Sequence, residues 1–494
     1  MKILLVNPEF PETYWSFRYA LPFEGKRSVF PPLGLLTVSS LLPQSCERRL
    51  VDLNIERLKD SQIEWADMVF ITGMLAQKES LHETVRRCKE RGKIIVLGGP
   101  YVTSTIEELP YADHIFQGEA ETTLPQFFID LERGQAKRTY KAPERPPLSL
   151  TPVADFGLVN LKKYSCMSVQ YSRGCPFSCE FCDIIEIYGR VPRTKSNQQM
   201  IAEFEALKRL GWRGPLFIVD DNFIGNKKNV RLLMPELIEW QKKNGFPFSL
   251  LTEASVNLAD DDDLLTAMKD AGFRRVFLGI ETPVEESLKE AQKSQNRGNL
   301  LESVRRIQNH GMEVMAGFIV GFDNDPDDIF ERQIEFIRES AIPMAMVGML
   351  NALPDTQLWK RLEREGRLLG ADATGNNTIA TVNFIPKMDV DKLISGYQRI
   401  MRTIYKPSEY YRRALDSLQR TPQDVPEAHQ YHGFKAIKAF LRIAFKLGVL
   451  DAERREFWRF LKAASKHHDR MVELLRHAAM AYHFRKLNES YGDT

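Results

Sequence analysis

Three of the chain's six cysteines stand within eight residues, in the stretch "SRGCPFSCEFCD" over residues 172–183. Cys175, Cys179 and Cys182 are spaced C-x3-C-x2-C, so their thiolates can converge on one metal centre from a single loop. A structural zinc site closes its fourth position with another Cys or His, and none occurs in the next thirty residues. The spacing therefore predicts a [4Fe–4S] cluster held by three thiolates, with one iron open to bind and reduce a substrate.

The other three cysteines, Cys46, Cys88 and Cys166, are scattered along the chain. Each is predicted to be a small buried side chain, because free cysteine behaves as a small hydrophobe in protein cores. Cys166 lies only nine residues before Cys175, so a ligand role stays open for it.

The cysteine loop follows the first of six short apolar runs that alternate with helical patterns. These runs are "MSVQYSRG", "PLFIVDDNF", "FSLLTEASVN", "RRVFLGIET", "MEVMAGFIVGF" and "AMVGMLNAL". Six strand and helix units are too few for a closed eightfold barrel, so they predict an open, partial (β/α)6 barrel with catalytic residues at the carboxyl ends of its strands. Polar residues and one glycine collect at those ends: Arg173, Asp220, Asp221, Asn222, Glu253, Glu281, Gly321 and Asp323.

The first part of the chain alternates five more apolar runs with helical patterns. The runs are "KILLVNP", "RRLVDL", "ADMVFITG", "GKIIVLGGP" and "DHIFQGEA", and they predict a parallel sheet with both faces covered. Loops rich in glycine or proline follow several of them, and open parallel sheets bind ligands beyond the carboxyl ends of their strands. The alternative is that each glycine only closes a tight turn.

A proline-rich stretch, "YKAPERPPLSLTPVADFG", disfavours both helix and strand and marks a domain boundary. After residue 355 the strand patterns fade and helical patterns dominate. We therefore expect an α/β protein with a Rossmann-like domain over residues 1–140, a linker over 141–160, a partial barrel over 161–355 and a mostly helical domain over 356–494.

Net charge and hydropathy indicate where in the cell the protein is located and which classes of partner it can bind. The formal net charge of +2 gives no electrostatic reason to expect nucleic acid, and no helix-turn-helix or basic arm is visible. The apolar stretch in "MKILLVNPEF" is shorter than the roughly seven residues of a signal peptide core, and no run approaches the roughly 18 apolar residues of a spanning helix. We expect a cytoplasmic protein whose thiols stay reduced.

One segment of the tail, "GFKAIKAFLRIAFKLGVL", predicts an amphipathic helix. Its basic residues share one face and its apolar residues the other: Lys435, Lys438, Arg442 and Lys446, against Phe434, Ile437, Leu441 and Phe445. From Tyr431 to the end there are 13 Lys and Arg against 7 Asp and Glu. Such a helix can rest on the anionic inner face of a membrane, although a solvated charged face gives the same pattern.

The triad C-x3-C-x-φ-C, with the aromatic Phe181 before the last cysteine, resembles the radical S-adenosylmethionine superfamily. This resemblance implies that the open iron binds S-adenosylmethionine and reduces it to methionine and a 5′-deoxyadenosyl radical. It also implies that "DDNF", with Asp220, Asp221 and Asn222, stands where the family contacts the methionine amino group, although the family's own letters there are "GGEP". Glu253, Glu281 and the glycines of "GFIVGFD", Gly317 and Gly321, are implied contacts to ribose, amino group or adenine. Capping or salt-bridge roles are the alternative for each.

The stretch "ADMVFITGMLAQKESLHETVRRCKERGKIIVLGGPYVTS" resembles cobalamin-binding domains. The residues that the resemblance places around the corrin and its nucleotide tail are Gly73, Met74, Gly98, Gly99, Pro100, Thr103, Gly118 and Glu119. The D-x-H-x-x-G motif of many such domains is absent, and the matching loop "NPEFPETYW" has no histidine. Cobalamin bound here should therefore lack a protein imidazole below the cobalt, and His82 is predicted to be structural. A nucleotide-binding or purely structural Rossmann-like unit is the alternative.

The whole chain resembles class B radical methylases, and segments such as "NPEFPETYWSFRYAL", "SRGCPFSCEFCDIIEIYGRVPR" and "TEASVNLADDD" resemble the hopanoid 2-methylases. The resemblance implies that one S-adenosylmethionine gives its methyl to cobalamin, while a second is cleaved to the radical that activates an unactivated carbon. It implies a small-molecule or lipid substrate held between the two α/β domains, and an external electron donor such as a ferredoxin or flavodoxin. A cyclisation, oxidation or carbon–carbon coupling without methyl transfer, and a cobalamin- or redox-responsive regulator, are the alternatives.

Overall fold

A computed structural model describes residues 1–105, 109–296, 298–370, 374–376, 378–422 and 434–491, apart from the side chains at 434, 435, 468, 469 and 491. Within them the first sheet has six parallel strands in the order β2-β1-β3-β4-β5-β6. The strands are β1 (Lys2–Asn7), β2 (Glu47–Asp52), β3 (Met68–Thr72), β4 (Ile94–Gly98), β5 (His114–Gln117) and β6 (Thr139–Lys141). The five expected strands are present, and β6 extends the sheet into the predicted linker.

This sheet has a hydrophobic core on each of its two faces. Leu4 and Val6 pack on one face, while Ile3 and Leu5 pack on the other, because successive side chains of a strand point to opposite faces. Helices cover both faces, as a parallel sheet requires. The helices that cover it are α2 (Leu33–Leu41), α3 (Asp60–Trp65), α4 (Lys78–Lys89), α5 (Pro100–Ser104) and α6 (Ala120–Glu132). The short α1 (Leu21–Glu24) packs instead into the core of the later part of the chain.

The second sheet is the expected open, partial barrel. Its strands are all parallel, in the order β14-β13-β12-β11-β10-β7, and a short antiparallel pair, β8 and β9, stands beside it. The strands are β7 (Met167–Val169), β8 (Ser172–Arg173), β9 (Arg193–Thr194), β10 (Gly214–Ile218), β11 (Phe248–Ala254), β12 (Phe273–Glu281), β13 (Glu313–Val320) and β14 (Ala345–Met349). The helices of this part are α7 (Ile184–Ile187), α8 (Asn197–Arg209), α9 (Lys227–Lys243), α10 (Asp262–Asp270), α11 (Glu285–Glu290), α12 (Leu300–Asn309) and α13 (Ile329–Glu339).

The predicted linker contains neither an α-helix nor a strand after Lys141, but it is packed against the rest of the chain. Three short 3-10 helices cross it and the residues just after it, at Leu148–Leu150, Phe156–Leu158 and Leu161–Lys163. Leu148 and Phe156 are buried, and Gln199 donates to the carbonyl of Leu148. The proline-rich sequence therefore forms an ordered strap between the two sheets.

The tail is helical, as expected. Its helices are α14 (Gln357–Arg364), α15 (Val390–Ile404), α16 (Pro407–Arg420), α17 (Phe434–Phe445), α18 (Arg454–Ala464) and α19 (Met471–Tyr491). Helices α15 to α19 share one hydrophobic core with the barrel and with the segment around Tyr14, whose hydroxyl donates to the carbonyl of Val347 in β14. Helix α14 packs in a separate small cluster, with Phe322 and Leu350. The expected three-part α/β architecture is confirmed. Among the helices of the described residues, none has both the length and the apolar composition that crossing a membrane requires.

Candidate active site

The cysteine loop begins at a glycine that no other residue could replace without strain. Gly174 has φ +96°, and a Cβ atom there would lie 2.7 Å from the carbonyl oxygen of Gly189. This close approach lets the amide of Cys175 donate to that carbonyl at 3.2 Å. The loop is thereby closed into a compact turn at the carboxyl end of β8.

Side-chain amides donate to two of the three sulfur atoms. Gln295 Nε2 lies 3.3 Å from Cys179 Sγ, and Asn222 Nδ2 lies 3.8 Å from Cys175 Sγ. Burial raises the pKa of the Cys175 and Cys182 thiols, so these groups become thiolates only when positive charge arrives. Metal coordination supplies that charge, and N–H donors to sulfur tune a bound cluster.

The three sulfurs of the cysteine triad are not all within the distance at which one metal ion would hold them. Within the described ranges, one group of three ligand-type side chains has its ligand atoms within 4.8 Å of one another, and it is Glu313, Glu473 and His477. The sulfurs of the cysteine triad are therefore spread more widely. One zinc ion would hold thiolates about 3.8 Å apart, because each tetrahedral Zn–S bond is about 2.3 Å long.

The helical tail holds the loop from outside. Glu180, between the second and third cysteines, accepts from Arg361 Nε at 2.6 Å. Its backbone carbonyl accepts from the amide of Leu358, and its own amide donates to Ala291. The cysteine loop is thus fixed by contacts to α14 and to the end of α11, so its shape depends on the tail.

The two aspartates after β10 hold the cysteine loop. Asp220 accepts from the amide of Tyr171 and from the hydroxyl of Ser172, each at 2.7 Å, and burial raises its pKa to about 6. Asp221 accepts from the amide of Gly174 at 3.3 Å, and burial raises its pKa to about 7. Both aspartates lie where the sequence analysis expects them, and their hydrogen bonds are to the loop.

Asn222 and Glu253 stand beside the aspartates. Asn222 donates to the hydroxyl of Ser255 at 3.1 Å as well as facing Cys175. Burial, helped by Asp221 and Asp220, raises the pKa of Glu253 to about 8. No hydrogen bond or ion pair joins the carboxyl of Glu253 to another of the described residues, so this neutral group is available to a ligand.

Glu281 is engaged within the protein. It adopts φ +63° at the end of β12, and its Oε1 lies 2.5 Å from Lys293 Nζ. Lys293 Nζ also stands 5.7 Å above the ring of Phe181, which links this ion pair to the cysteine loop. A Cβ at Gly279 would lie 2.5 Å from the same carboxylate, so the pair occupies the space that this glycine leaves open.

Gly317 in β13 and Gly321 just after it are glycines for different structural reasons. A Cβ at Gly317 would lie 3.2 Å from the ring of Phe277, so the glycine permits a close approach inside the barrel. Gly321 has φ +105°, and its amide donates to Asp325 at 2.8 Å. The next residue, Phe322, packs against Phe181 with ring centres 6.2 Å apart.

The carboxyl end of the first sheet carries the residues predicted around cobalamin. Gly99 has φ +99°, and a Cβ there would lie 2.1 Å from Thr72 Oγ1. Thr103 joins two loops, because its hydroxyl donates to the carbonyl of Gly99 and accepts from the amide of Gly118, each at 2.9 Å. The turn thus brings together most of the predicted set: Gly73, Met74, Gly98, Gly99, Pro100, Thr103 and Gly118. Met74 is 53% exposed at this edge, a large apolar side chain left open to a ligand.

Glu119 belongs to the seam between the two sheets. Its carboxylate lies 2.6 Å from Arg173 Nη1 and 2.6 Å from Arg193 Nη2. Glu121 adds a contact of 2.8 Å to Arg173, which precedes the cysteine loop by two residues. Burial alone would raise the pKa of Glu121, but Arg173 and Thr151 hold that pKa below its usual range. The carboxyl ends of the two sheets therefore face each other.

Two expectations concern the lower face of cobalamin: that the loop "NPEFPETYW" offers no histidine, and that His82 is structural. The side chain of Gln77 donates to the carbonyl of Pro8, which ties the loop "NPEFPETYW" to the first sheet. His82 Nε2 shares a hydrogen bond of 2.9 Å with the hydroxyl of Tyr101, in agreement with a structural role.

Comparison with known proteins decides the family. Residues 27–128 match the B12 binding domain, 169–337 the radical SAM superfamily and 356–493 a domain of unknown function. An uncharacterized methyltransferase of Synechocystis sp. is 41% identical over 96% of this chain and 89% of its own length. The hopanoid C-2 methylase of Rhodopseudomonas palustris is 34% identical over 93% of this chain and 88% of its own length. The chain belongs to the B12-binding radical SAM methyltransferase family.

This methyltransferase also shares its fold with a solved relative. The radical S-adenosylmethionine methyltransferase TsrM from Kitasatospora setae, with cobalamin and a [4Fe–4S] cluster bound, gives a TM-score of 0.63 over 99% of both chains, at 15% identity. The cofactors of this methyltransferase are a [4Fe–4S] cluster, S-adenosylmethionine and cobalamin, as expected.

Several residues of the site escape sequence reasoning. Lys293 and Gln295 follow α11 in a turn, and neither belongs to a periodic pattern. Arg193 and Glu121 find their partners 74 and 52 positions away in the sequence. A buried charge needs a buried partner, but one sequence does not reveal which two charges meet.

We expect Cys179→Ala to lose cluster iron and to lower 5′-deoxyadenosine formation to background, because it removes one of the three predicted thiolate ligands. Cys179 is buried inside the loop, and its sulfur accepts from Gln295. Cobalamin content should be retained, since the first sheet is untouched. Iron, sulfide and cobalamin assays on anaerobically purified protein check this. Cys88→Ala, a buried cysteine of α4, is the matched control and should keep its iron. An unchanged deoxyadenosine yield in Cys179→Ala would remove the cluster assignment.

The raised pKa of Glu253 makes stability depend on pH. Its unfolded pKa is about 4.3, so between about pH 4.3 and pH 8 the folded state holds a proton that the unfolded state lacks. Stability therefore falls as pH rises through that window, and Glu253→Gln abolishes this contribution. Thermal melts of cofactor-free protein should show Tm of the wild type falling relative to Glu253→Gln from about pH 5 to about pH 8. The exposed Asp263→Asn is the control, and parallel curves for Glu253→Gln and wild type would contradict the assignment.

Proposed function

We propose that this methyltransferase adds a methyl group to an unactivated carbon of a polycyclic lipid of the hopanoid class. The observation that carries the proposal is the 34% identity to hopanoid C-2 methylase, which extends over 93% of this chain. That similarity includes both sheets and the helical tail, so it is not confined to the cofactor-binding parts.

The substrate carbon should lie between the carboxyl ends of the two sheets. Glu119 and Arg173 join those ends through a contact of 2.6 Å, which supports a position for the proposed cobalamin loops opposite the cysteine loop. The protein has to hold the reacting carbon within reach of both cofactors, because orientation supplies much of the barrier reduction in such reactions. The buried seam also keeps water from one side of the site.

The residues divide into three proposed roles. Cys175, Cys179 and Cys182 would hold the cluster, whose chemistry when bound is to reduce S-adenosylmethionine to a carbon radical. Glu253, which is neutral and unpaired among the described residues, would hydrogen-bond S-adenosylmethionine. The residues proposed to assist it are those around it: Phe181, Asp220, Asp221, Asn222, Glu281, Gly317 and Gly321.

The cobalamin side follows from the loops of the first sheet. Gly73, Gly98 and Gly99 would let the backbone approach the corrin, and Met74 would cover its edge. Thr103 and Gly118 would contact the nucleotide tail, while Glu119 would act through Arg173 and Arg193. No histidine lies in the loop "NPEFPETYW", which supports a lower cobalt face without a protein imidazole.

The cysteines outside the triad bear on how the cluster would be reduced. The triad accounts for three cysteines, and the other three, Cys46, Cys88 and Cys166, are buried apart from one another. We therefore propose an external donor of the ferredoxin or flavodoxin type.

Product stoichiometry distinguishes methyl transfer from the alternatives. With anaerobic enzyme, reductant and substrate, we expect S-adenosylhomocysteine and 5′-deoxyadenosine in about equal amounts, since methyl transfer consumes two molecules of S-adenosylmethionine for different purposes. Deoxyadenosine without S-adenosylhomocysteine would instead indicate cyclisation, oxidation or coupling.

The lipids of cells with and without the gene should differ by one methyl group on a polycyclic lipid, and an identical lipid profile would contradict the substrate class.

The tail offers a surface for an anionic membrane. Helix α17 exposes an apolar stripe, with Ile437 55%, Leu441 59% and Phe445 59% exposed, while Phe434 and Lys435 have side chains outside the described part. Val449, Leu450 and Trp458 extend the apolar patch. Residues 434–466 contain nine Lys and Arg against three Asp and Glu. We propose that this patch rests on the anionic inner face of a membrane, where a lipid substrate would be found.

We expect Leu441→Asp with Phe445→Asp to weaken binding to phosphatidylcholine vesicles containing phosphatidylglycerol by about ten-fold or more, because two apolar side chains are lost from the contact. Co-sedimentation at low and high salt measures it, and salt should weaken the wild type as well. Leu232→Asp, at an exposed leucine of α9 far along the chain, is the matched control. Equal sedimentation of all three proteins would contradict the contact.

A further inference from the structure

A cavity of about 250 Å³ lies at the opposite end of the barrel from the cysteine loop. It is lined by residues at the amino ends of all six barrel strands, from Cys166 before β7 to Met344 before β14. On β12 the cavity residue Arg275 precedes Glu281 by six positions, which at about 3.3 Å per residue is about 20 Å. The cavity is therefore separate from the catalytic end.

The walls of this cavity are mainly hydrocarbon. The barrel interior contributes Leu251 and Met315, and the N-terminal segment contributes Trp15 and Phe23. Helices α17 and α19 close the remaining sides with Ile443 and Met480. Its volume is close to the lower end of small-molecule pockets, about 300 to 1,000 Å³.

Most of the charges around the cavity are paired. Glu313 lies 2.6 Å from Arg476, and Glu473 lies 2.8 Å from Arg470. Burial alone would raise the pKa of Glu313, but Arg476 and His477 hold that pKa well below its usual range. Because arginines already neutralise both carboxylates, the group formed by these two glutamates and the histidine is a poor site for a cation.

Arg275 is different. No hydrogen bond or ion pair joins its guanidinium to another of the described residues, and its Nε is a buried donor without a partner. Four arginines and three glutamates line the cavity: Arg274, Arg275, Arg470 and Arg476, against Glu24, Glu313 and Glu473. The lining therefore carries one positive charge in excess. The side chain is half-buried, and Glu313 and Glu473 attract its charge without a hydrogen bond or ion pair. A buried donor such as Nε is costly without an acceptor, and a carboxylate suits the geometry of a guanidinium.

We propose that this cavity binds a long-chain carboxylate, with its head on Arg275 and its hydrocarbon chain against the barrel interior. An apolar enclosure with a single excess positive charge complements an amphiphile with one negative charge. The inner side of α17 forms a wall of the cavity while its outer side carries the exposed apolar stripe, so a membrane-derived amphiphile has a short path to it. This inference does not depend on the identity of the methyl acceptor.

Calorimetric titration of the cofactor-loaded full chain with decanoate tests the proposal. We expect one decanoate per chain, with binding weakened about ten-fold or more in Arg275→Met and kept within a few-fold in Arg275→Lys, which retains the charge. The uncharged 1-decanol should bind wild type and Arg275→Met equally. Saturating S-adenosylmethionine should leave decanoate binding unchanged, because the two sites are at opposite ends of the barrel.

Folding of the variants is checked independently by their iron and cobalamin content and by 5′-deoxyadenosine formation, which should match the wild type. Equal decanoate affinity in wild type and Arg275→Met, or decanol binding as tightly as decanoate, would overturn the role of Arg275. Displacement of decanoate by S-adenosylmethionine would overturn the separate location. Failure of methyl transfer to a hopanoid would leave all these results unaffected. The proposals for the methyl acceptor and for the cavity are therefore tested independently.

Discussion

The salt bridge between Glu119 and Arg173 is the interaction on which the active site depends. The two side chains are only 4% and 11% exposed, so neither charge is well solvated and each requires the other. Glu119 ends the turn after β5 of the first sheet, and Arg173 ends β8 just before the first cysteine of the triad. Glu119 also contacts Arg193, and Arg173 also contacts Glu121, so removing either partner would weaken a network of four largely buried charges. The spacing between the cobalamin loops and the cluster loop is therefore set by electrostatics as well as by packing.

The same end of the barrel concentrates carboxyl groups. Burial is the main cause that raises the pKa of Asp220, Asp221 and Glu253 to about 6, 7 and 8 respectively; Asp220 adds to the shift of Asp221, and both aspartates add to that of Glu253. A site crowded with acids that are partly neutral near pH 7 can donate as well as accept hydrogen bonds. It can also gain from a positively charged ligand, since bound positive charge would stabilise the ionised forms.

Much of the fold follows from the sequence, because eleven of the strands coincide with short apolar runs whose length and flanking turns are typical of buried parallel strands. The strands that escaped were β6, β8 and β9, which have only two or three residues and so give no pattern. The cysteine triad was evident because its ligands are local in sequence. Arg193, Lys293 and Gln295 were not, because their partners are decided by how the chain folds back on itself. Likewise, the sequence predicted two faces for α17 without deciding which face the protein covers.

The carboxyl end of the barrel is rich in carboxyl groups and the amino end surrounds a mainly apolar cavity. Helices of the tail contribute side chains to both ends. At the carboxyl end, Arg361 of α14 holds Glu180 inside the cysteine loop. At the amino end, α17 and α19 close an apolar cavity together with the segment that contains Trp15. Helix α17 is apolar on its inner side, at Ile443, and on part of its outer side, at Leu441. Among the described residues the outer stripe of α17 stays exposed, so the helix has an apolar inner side in the core and a second apolar side at the surface.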